Sequence, residues 1–315
     1  MINYIIKRVI MMIPILFGIS ILSFAIMYAA PGKPAILNLD PEIPPEVREA
    51  QAERLGLNDP IPVQYVRWVK NVSKGDFGTS YARKMPVTDM ILDRLPNTIL
   101  LMASSLFLAA IIAIPFGVIS ATRQYSLTDY GVTVGSFLGL ATPNFWLGIM
   151  LIMVFSVQLG WTPVGGISTI GADFSLLDRL RHLILPALVL ATADMAGLTR
   201  YTRSSMLEVI NQDYIRTARA KGFRERRVVY KHGLRNGLIP VITMFGLMLP
   251  TMIGGSAIVE SVFNWPGIGK LFIDATFQRD YPVIMAITMF GALLTVVGNL
   301  IADILYAVLD PRIEY

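Results

Sequence analysis

Long runs without a charged residue constrain the fold of this 315-residue chain more than any other feature. A helix needs roughly 20 apolar residues to cross the hydrocarbon core of a bilayer. Six such runs lie at residues 9–30, 95–122, within 130–172, at 183–199 (interrupted only by Asp194), 236–259 and 281–302. With 54% hydrophobic and 16% charged residues, the chain is not an ordinary water-soluble domain. The sequence therefore predicts an all-α membrane protein with six transmembrane helices.

The first run follows Lys7 and Arg8, as the apolar part of a signal peptide would. It is too long for that role and no small-residue cleavage site follows it, so we interpret it as a retained span. Prolines occur in or near several runs and predict kinks or broken helix ends there, at positions 14, 115, 143, 186 and 250.

Charges between the runs predict the orientation. With both termini in the cytosol, the cytosolic segments hold 14 Lys/Arg and six acids, whereas the segments on the other side hold 13 of each. Cytosolic loops of membrane proteins are enriched in Lys and Arg, which favours this arrangement. Residues 31–96 then form an extracytoplasmic insertion, in which Pro44–Glu46 and Pro62 predict the starts of two helices and Gly75–Gly78 a loop.

These features divide the chain into three parts. Residues 1–95 hold the first helix and the insertion, residues 96–309 hold the main transmembrane domain, and residues 310–315 form a cytosolic tail. The segment 261–281 is expected to be an extracytoplasmic loop.

The longest cytosolic segment, Arg200–Arg235, contains ten Lys/Arg and three acids. Apolar or small residues recur at helical spacing from Ser204 to Lys221 and predict one amphipathic helix. Gly222 is expected to end it in the left-handed conformation, and Arg224–Asn236 to form a second helix. Periodicity and charge leave two interpretations open: a helix lying on anionic lipid, or a surface that docks a cytosolic protein.

Sequence motifs favour the second interpretation. The stretch from Asp213 to Gly222 and onward to Pro240 resembles the EAA-type loop of bacterial ABC importer permeases, in particular the first membrane subunit of the dipeptide/oligopeptide family. Arg216-Thr217 replaces the Glu-Ala usual in the general pattern. The likeness covers nearly the whole chain through the motifs DPIPVQY (59–65), GDFG (75–78), RLPNT (94–98), ATP (141–143), ESVFNWPGIG (260–269) and LDPR (309–312).

The resemblance implies the type I ABC importer transmembrane fold and a non-catalytic translocation subunit in the bacterial inner membrane. The implied partners are a homologous second permease subunit, two cytosolic ATPase subunits and an extracytoplasmic solute-binding protein. No GxxxxGK[ST] phosphate loop occurs, so ATP and Mg are expected in the ATPases and no cofactor in this chain. Membrane lipid is an expected partner, and nucleic acid is not.

Within the segment 200–237, which the resemblance implies to be the coupling loop, we expect seven residues to contact an ATPase. The docking core would be formed by Tyr214, Ala218, Ala220, Gly222 and Phe223, with Arg216 and Arg219 at its rim. For each arginine, a solvated or lipid-facing charge is the alternative.

Two carboxylates are candidates for the translocation path, because charged groups within a membrane are costly and face a cavity or a partner. Asp194 lies inside a span and Glu260 at the edge of one. Asp194 could meet a peptide amino group, or it could pair with Arg200 on the same helix.

Import of di- or oligopeptides by alternating access is the function that the resemblance implies. The same architecture also serves import of glutathione, nickel chelates or haem, which remain alternatives, and a membrane enzyme or scaffold is a more distant one. Cysteine is absent and His182 and His232 are far apart in sequence, so no metal site and no nucleophilic constellation are expected.

Overall fold

The computed structural model describes residues 2–29, 44–238, 241–242, 244 and 257–309. In chain order the helices are α1 (Ile2–Ala29), α2 (Pro45–Arg54), α3 (Ile61–Val72), α4 (Val87–Thr122), α5 (Leu127–Ala141), α6 (Asn144–Leu151), α7 (Leu176–Ile210), α8 (Asp213–Ala220), α9 (Glu225–Arg227), α10 (Leu234–Gly237), α11 (Ile268–Gln278) and α12 (Tyr281–Leu309). A π-helical segment, Ile152–Gln158, extends α6, and another, Val228–Gly233, joins α9 to α10. Residues 257–262 are also helical.

Four helices of the described part are long and apolar enough to cross a membrane: Ile10–Ala29, Val87–Thr122, Leu176–Ile210 and Tyr281–Leu300. The α5 and α6 helices together form a bent pair, which brings the number to five if the pair is one span. The predicted run at 236–259 lies largely outside the described residues, as do residues 31–43 and the tail 310–315. A mostly helical membrane protein is confirmed, and the count of six spans stays a prediction.

The break between α5 and α6 confirms the broken helix end expected at Pro143. A proline lacks the backbone N–H, and its ring disfavours the helical conformation of the residue before it. Thr142 is accordingly extended (φ −82°, ψ 121°), and α6 starts directly after Pro143. The two helices meet at 104°, so the run within 130–172 is not one straight span.

Two helix boundaries differ from those read in the sequence, and one helix lies where a loop was expected. The α4 helix begins at Val87, eight residues before the apolar run, and α7 continues past the run to Ile210. The α11 helix lies in the segment 261–281, where a loop was expected, so that prediction is wrong. The two helices predicted in the insertion are confirmed as α2 and α3, and Gly75 and Gly78 have positive φ in the loop after them.

The described residues divide into two compact units, one made of 2–98 and 266–297 and the other of 99–265 and 298–309. In the first unit, the start of α4 packs against α11 and α12 through Val87, Ile91, Leu271 and Val283, all buried. Asp280, between these last two helices, is only 2% exposed. Its carboxylate accepts hydrogen bonds from Ser80 Oγ (2.5 Å) and from the N–H groups of Tyr81 (3.0 Å) and Ala82 (3.2 Å), which fixes the segment before α4.

The second unit is built around α7, whose inner side is buried along most of its length. Glycines let the neighbouring helices approach it closely. A β-carbon built on Gly117 of α4 would lie 2.5 Å from Thr202 Cβ, and one on Gly139 of α5 would lie 2.9 Å from Thr192 Cγ2. Small residues at helix contacts are the usual means of close packing in membranes, where the hydrophobic effect does not drive helices together.

Candidate functional site

The basic loop (residues 200–237) contains a break between two helices that the sequence pattern did not indicate. The single amphipathic helix expected over Ser204–Lys221 is wrong, because α7 ends at Ile210 and α8 starts at Asp213. Asn211 Nδ2 donates to the Leu207 carbonyl at 2.9 Å, which satisfies an acceptor in the last turn of α7. Gln212 is extended (φ −74°, ψ 150°) and lets the chain change direction.

The α8 helix has one inner and one outer side. Ile215 and Ala218 are buried against Val228 of the π-helical segment, with Val209 and Phe223 partly buried around them. On the outer side Tyr214, Arg216 and Ala220 are exposed. Of the two alanines expected to contact a partner, the structure therefore places Ala218 inside the loop and Ala220 on its surface.

The turn after α8 is formed by Gly222, whose φ of 76° confirms the expected left-handed conformation. Its N–H donates to the Arg219 carbonyl at 2.9 Å, which closes the last turn of the helix. A β-carbon at this position would meet nothing within 4 Å. The need for glycine here thus comes from the backbone conformation and not from crowding.

Phe223 is held within the loop by a charged group and an aromatic ring from the segment that follows the turn. The Arg227 guanidinium carbon lies 4.7 Å from the centroid of its ring, and the His232 ring is stacked at 5.7 Å and 22°. A cation at this distance over an aromatic face is attracted by the ring quadrupole. Phe223 therefore joins α8 to the helical segment that follows and is half-buried.

Two polar contacts brace the outer part of the loop. Arg219 donates to both carboxylate oxygens of Glu225, at 2.7 and 3.2 Å, across the Gly222 turn. These hydrogen bonds lower the pKa of Glu225 and raise that of Arg219. Asn236 Nδ2 donates to the Tyr214 hydroxyl at 3.0 Å, which ties α8 to α10.

The loop is seated on α7 by Met206, which is fully buried. A β-carbon on Gly237 would lie 2.7 Å from Met206 Sδ, and one on Gly233 would lie 3.4 Å from its Cε. Ser205 Oγ donates to the Gly237 carbonyl at 2.8 Å beside this contact. Close approach of this segment to α7 therefore depends on glycine at position 237, whereas a β-carbon at Gly233 would make an ordinary van der Waals contact.

One turn before Met206, an ion pair connects α7 to its neighbours. Arg203 Nε donates to Asp129 Oδ1 at 3.0 Å, and its Nη2 donates to Oδ2 at 2.9 Å. Asp129, 4% exposed, also accepts from Ser120 Oγ on α4 and from the Tyr125 N–H. This cluster was not predicted from the sequence, since its members are up to 83 residues apart and no local pattern pairs them.

The two path candidates lie in different surroundings. Asp194 is half-buried on α7, and the part of the chain that the structure describes shows no ion pair between it and Arg200. Glu260 is fully buried, with 0% exposure. Only Asp194 is thus accessible at a surface of its own unit.

Metal binding finds no support in the geometry of the described residues, which contain no group of three His, Cys, Asp or Glu side chains able to hold an ion. His182 Nδ1 lies 2.9 Å from the Asp178 carbonyl one turn earlier on α7. His232 is stacked on Phe223.

Known proteins match the chain over its full length. The family described as "binding-protein-dependent transport system inner membrane component" matches residues 113–315. A second family, described as the N-terminal part of such membrane components, matches residues 1–102. The chain belongs to this family of ABC importer permeases. The permease is therefore a multi-pass membrane protein of a transport system.

Relatives of the permease include proteins named for peptide transport. It is 66% identical to the oligopeptide transport system permease protein AppB of Bacillus subtilis over 99% of both chains. It is 41% identical to the di/tripeptide permease DppB of Pseudomonas aeruginosa (100% of this chain, 99% of the relative) and 43% identical to the glutathione permease GsiC of Escherichia coli (100% of both).

The fold also matches solved transporters. A chain of the MetNI methionine ABC transporter in an inward-facing conformation superposes with a TM-score of 0.52 at 18% identity, covering 69% of the permease and 97% of that chain. An amino acid ABC transporter gives a TM-score of 0.51 at 14% identity, covering 69% and 92%. The type I importer fold expected from the sequence is thus supported for this part of the chain.

We predict that the Gly222 turn loosens only at low pH. The lowered pKa of Glu225 means that its pair with Arg219 stabilises the turn fully above the ordinary glutamate pKa of 4.5 and is lost as the pH falls below it. Because the permease has no cysteine, a nitroxide on Lys221→Cys reports the turn specifically. Its mobility should stay constant from neutral pH to about 4.5 and then increase.

Two controls accompany this measurement. In a Glu225→Gln background, the label should have the same mobility at every pH, and a label on exposed Lys74→Cys reports general acid unfolding. A rise in mobility well above pH 4.5, or none below it before Lys74→Cys responds, would contradict the role of the pair.

Proposed function

We propose that this chain is a permease subunit of an ATP-driven importer that takes up di- and oligopeptides by alternating access across the bacterial inner membrane. Peptides are proposed as the substrates because the chain is 66% identical, over nearly its whole length, to a permease named for oligopeptide transport. Glutathione is the second candidate, because a relative of 43% identity is named for it. The relatives named above are not nickel-chelate or haem permeases.

The proposed architecture has six spans, with both termini in the cytosol and residues 31–96 outside. Transport then needs a homologous second permease subunit to complete the path and an extracytoplasmic solute-binding protein to deliver the peptide. Two ATPase subunits bind ATP and Mg and hydrolyse the nucleotide, since this chain lacks the phosphate loop. The segment fixed by Asp280 and the α3 helix are extracytoplasmic surfaces open to the solute-binding protein.

The basic loop is the proposed coupling element. Ala220 and Gly222 leave an exposed surface with little side-chain bulk at the end of α8, so an ATPase cleft can approach the backbone there, and exposed Tyr214 offers an aromatic contact beside it. Arg216 and Arg219 flank this surface as charged contacts. Ala218 and Phe223 act from within the loop, where they hold α8 on the π-helical segment.

Movement of the loop would reach the membrane domain through α7. Met206 and Ser205 fix the returning segment to this helix, and Arg203 joins the same helix to Asp129 and Ser120. A displacement of α8 by the ATPases would therefore shift α4, α5 and α7 together, as a rigid-body switch requires.

Asp194 is the proposed contact of this subunit with the translocation path. It lies on α7, six residues before Arg200, and is half-buried. A carboxylate in a membrane span faces a cavity or a partner, and the structure gives it no ion pair among the described residues. Glu260 is buried and would take part only if a conformational change exposed it.

We predict that Gly222→Val uncouples ATP hydrolysis from transport. A side chain at φ 76° costs about 1–2 kcal/mol, which shifts the turn away from its conformation by a factor of about 5–30. In vesicles with the assembled transporter, peptide uptake per ATP hydrolysed should fall. Gly222→Asn should retain uptake, since asparagine tolerates the left-handed region.

The matched control for this variant is Gly75→Val. Gly75 has a φ of 82° and the same open surroundings, but it lies in the proposed extracytoplasmic insertion. It therefore carries the same backbone strain away from the docking surface. Normal uptake by Gly222→Val, or an equal loss in Gly75→Val, would overturn the coupling assignment.

We predict ATP-dependent uptake of peptides as the activity of the complete transporter. Vesicles containing both permeases and ATPases, supplied with the solute-binding protein, are offered labelled dipeptides, longer peptides, glutathione, nickel chelate and haem in turn. Peptides should enter only with hydrolysable ATP and the binding protein. Uptake restricted to glutathione would select the second candidate, and uptake without ATP would exclude an ABC importer.

We predict that Asp194→Asn lowers peptide uptake while leaving the amount of assembled transporter unchanged. The substitution keeps the shape of the side chain and removes the charge that could meet a peptide amino group. Glu208→Gln, an exposed acid on the same helix, is the control. Unchanged affinity and rate in Asp194→Asn would remove this residue from the path.

A further inference from the structure

A cavity of about 350 Å³ lies among α4, α5 and α7, next to the Arg203–Asp129 pair. Its wall on α5 combines the polar Thr133 and Ser136 with apolar side chains, of which Phe137 and Leu140 are 58% and 53% exposed. Its other end is polar and includes Ser120, Arg200 and Arg203. The cavity thus offers an apolar groove that ends in a charged region.

The net charge of this cavity comes from Arg200. The charges of Asp129 and Arg203 neutralise each other through two hydrogen bonds. Arg200 is exposed and, within the described ranges, makes no ion pair. A ligand that fits must therefore combine an anionic group with an apolar chain.

The length of the apolar run of α7 predicts that the cavity lies at the depth of lipid headgroups. Residues 183–199 of α7 are the apolar run before Arg200, and at 1.5 Å per residue they extend about 25 Å, close to the thickness of the hydrocarbon core. Tyr125 and Tyr130, which line the same end, are 78% and 57% exposed. Exposed tyrosines are typical of the membrane interface.

We propose that this cavity binds an anionic phospholipid of the cytoplasmic leaflet, with its phosphate beside Arg200 and an acyl chain along Phe137 and Leu140. The assignment of the leaflet rests on the orientation given under the proposed function. A free phosphate ion would leave the apolar wall uncovered, which favours the lipid. Bound there, the lipid touches all three helices that the Arg203–Asp129 cluster joins, beside the seat of the basic loop.

The test uses the assembled transporter in nanodiscs of phosphatidylcholine with phosphatidylglycerol, without ATP or peptide. A photoreactive amino acid at Leu140 labels whatever occupies the groove, and mass spectrometry identifies the adduct. We expect phosphatidylglycerol adducts in excess of its share of the lipid. Arg200→Gln should reduce this preference roughly fivefold, the value that corresponds to about 1 kcal/mol for one basic residue near an anionic surface.

Arg123→Gln is the matched control, because Arg123 is an exposed arginine near the same end of α4 that does not line the cavity. It should leave the preference unchanged. Equal labelling of the two lipids, an equal effect of both variants, displacement of the lipid by inorganic phosphate, or adducts on the second permease subunit would each overturn the proposal. Because labelling needs neither ATP nor peptide, its failure is distinct from a failure of the proposed transport.

Discussion

The contact between Met206 and the two glycines of the basic loop is the interaction on which the loop's geometry depends. A β-carbon at Gly237 would lie 2.7 Å from the sulfur, so the buried Met206 side chain would have to move to admit it. Close-packed interiors transmit displacement because they cannot absorb it. The loop is consequently an extension of α7, although the chain passes through two breaks, at Gln212 and Gly222, before it returns.

The Arg203–Asp129 pair, together with Ser120, connects α7, on which the loop is seated, to α4 and α5. Arg203 and Met206 are three residues apart and so are neighbours along α7. Asp129 is buried but the Arg203 side chain is 31% exposed, so the pair contributes little net stability, whereas removing Arg203 would leave the buried carboxylate without its partner. The value of the cluster therefore lies in fixing a single arrangement of α4, α5 and α7 at the point where the loop is seated.

Local signals in the sequence predicted the long helices of the described part, whereas the α11 helix and the contacts between distant residues were not predicted. Uncharged runs located the spans, and Gly222 located its turn, because each depends on a few adjacent residues. The break at Asn211–Gln212 was missed because Ile210 and Tyr214 keep the helical spacing of four residues across it. The Asp129–Arg203 pair joins residues 74 positions apart, which no periodicity reveals.

Ala218 and Ala220 show why a pattern of small residues did not define the candidate site. Two positions on a helix are about 200° apart, so the two alanines point to opposite sides of α8. Ala218 lets α8 approach Val228, whereas Ala220 leaves the outer surface of the helix without a bulky side chain. The same residue type thus serves packing within the loop on one side and access for a partner on the other. Burial, which the sequence does not contain, is what separates the two roles.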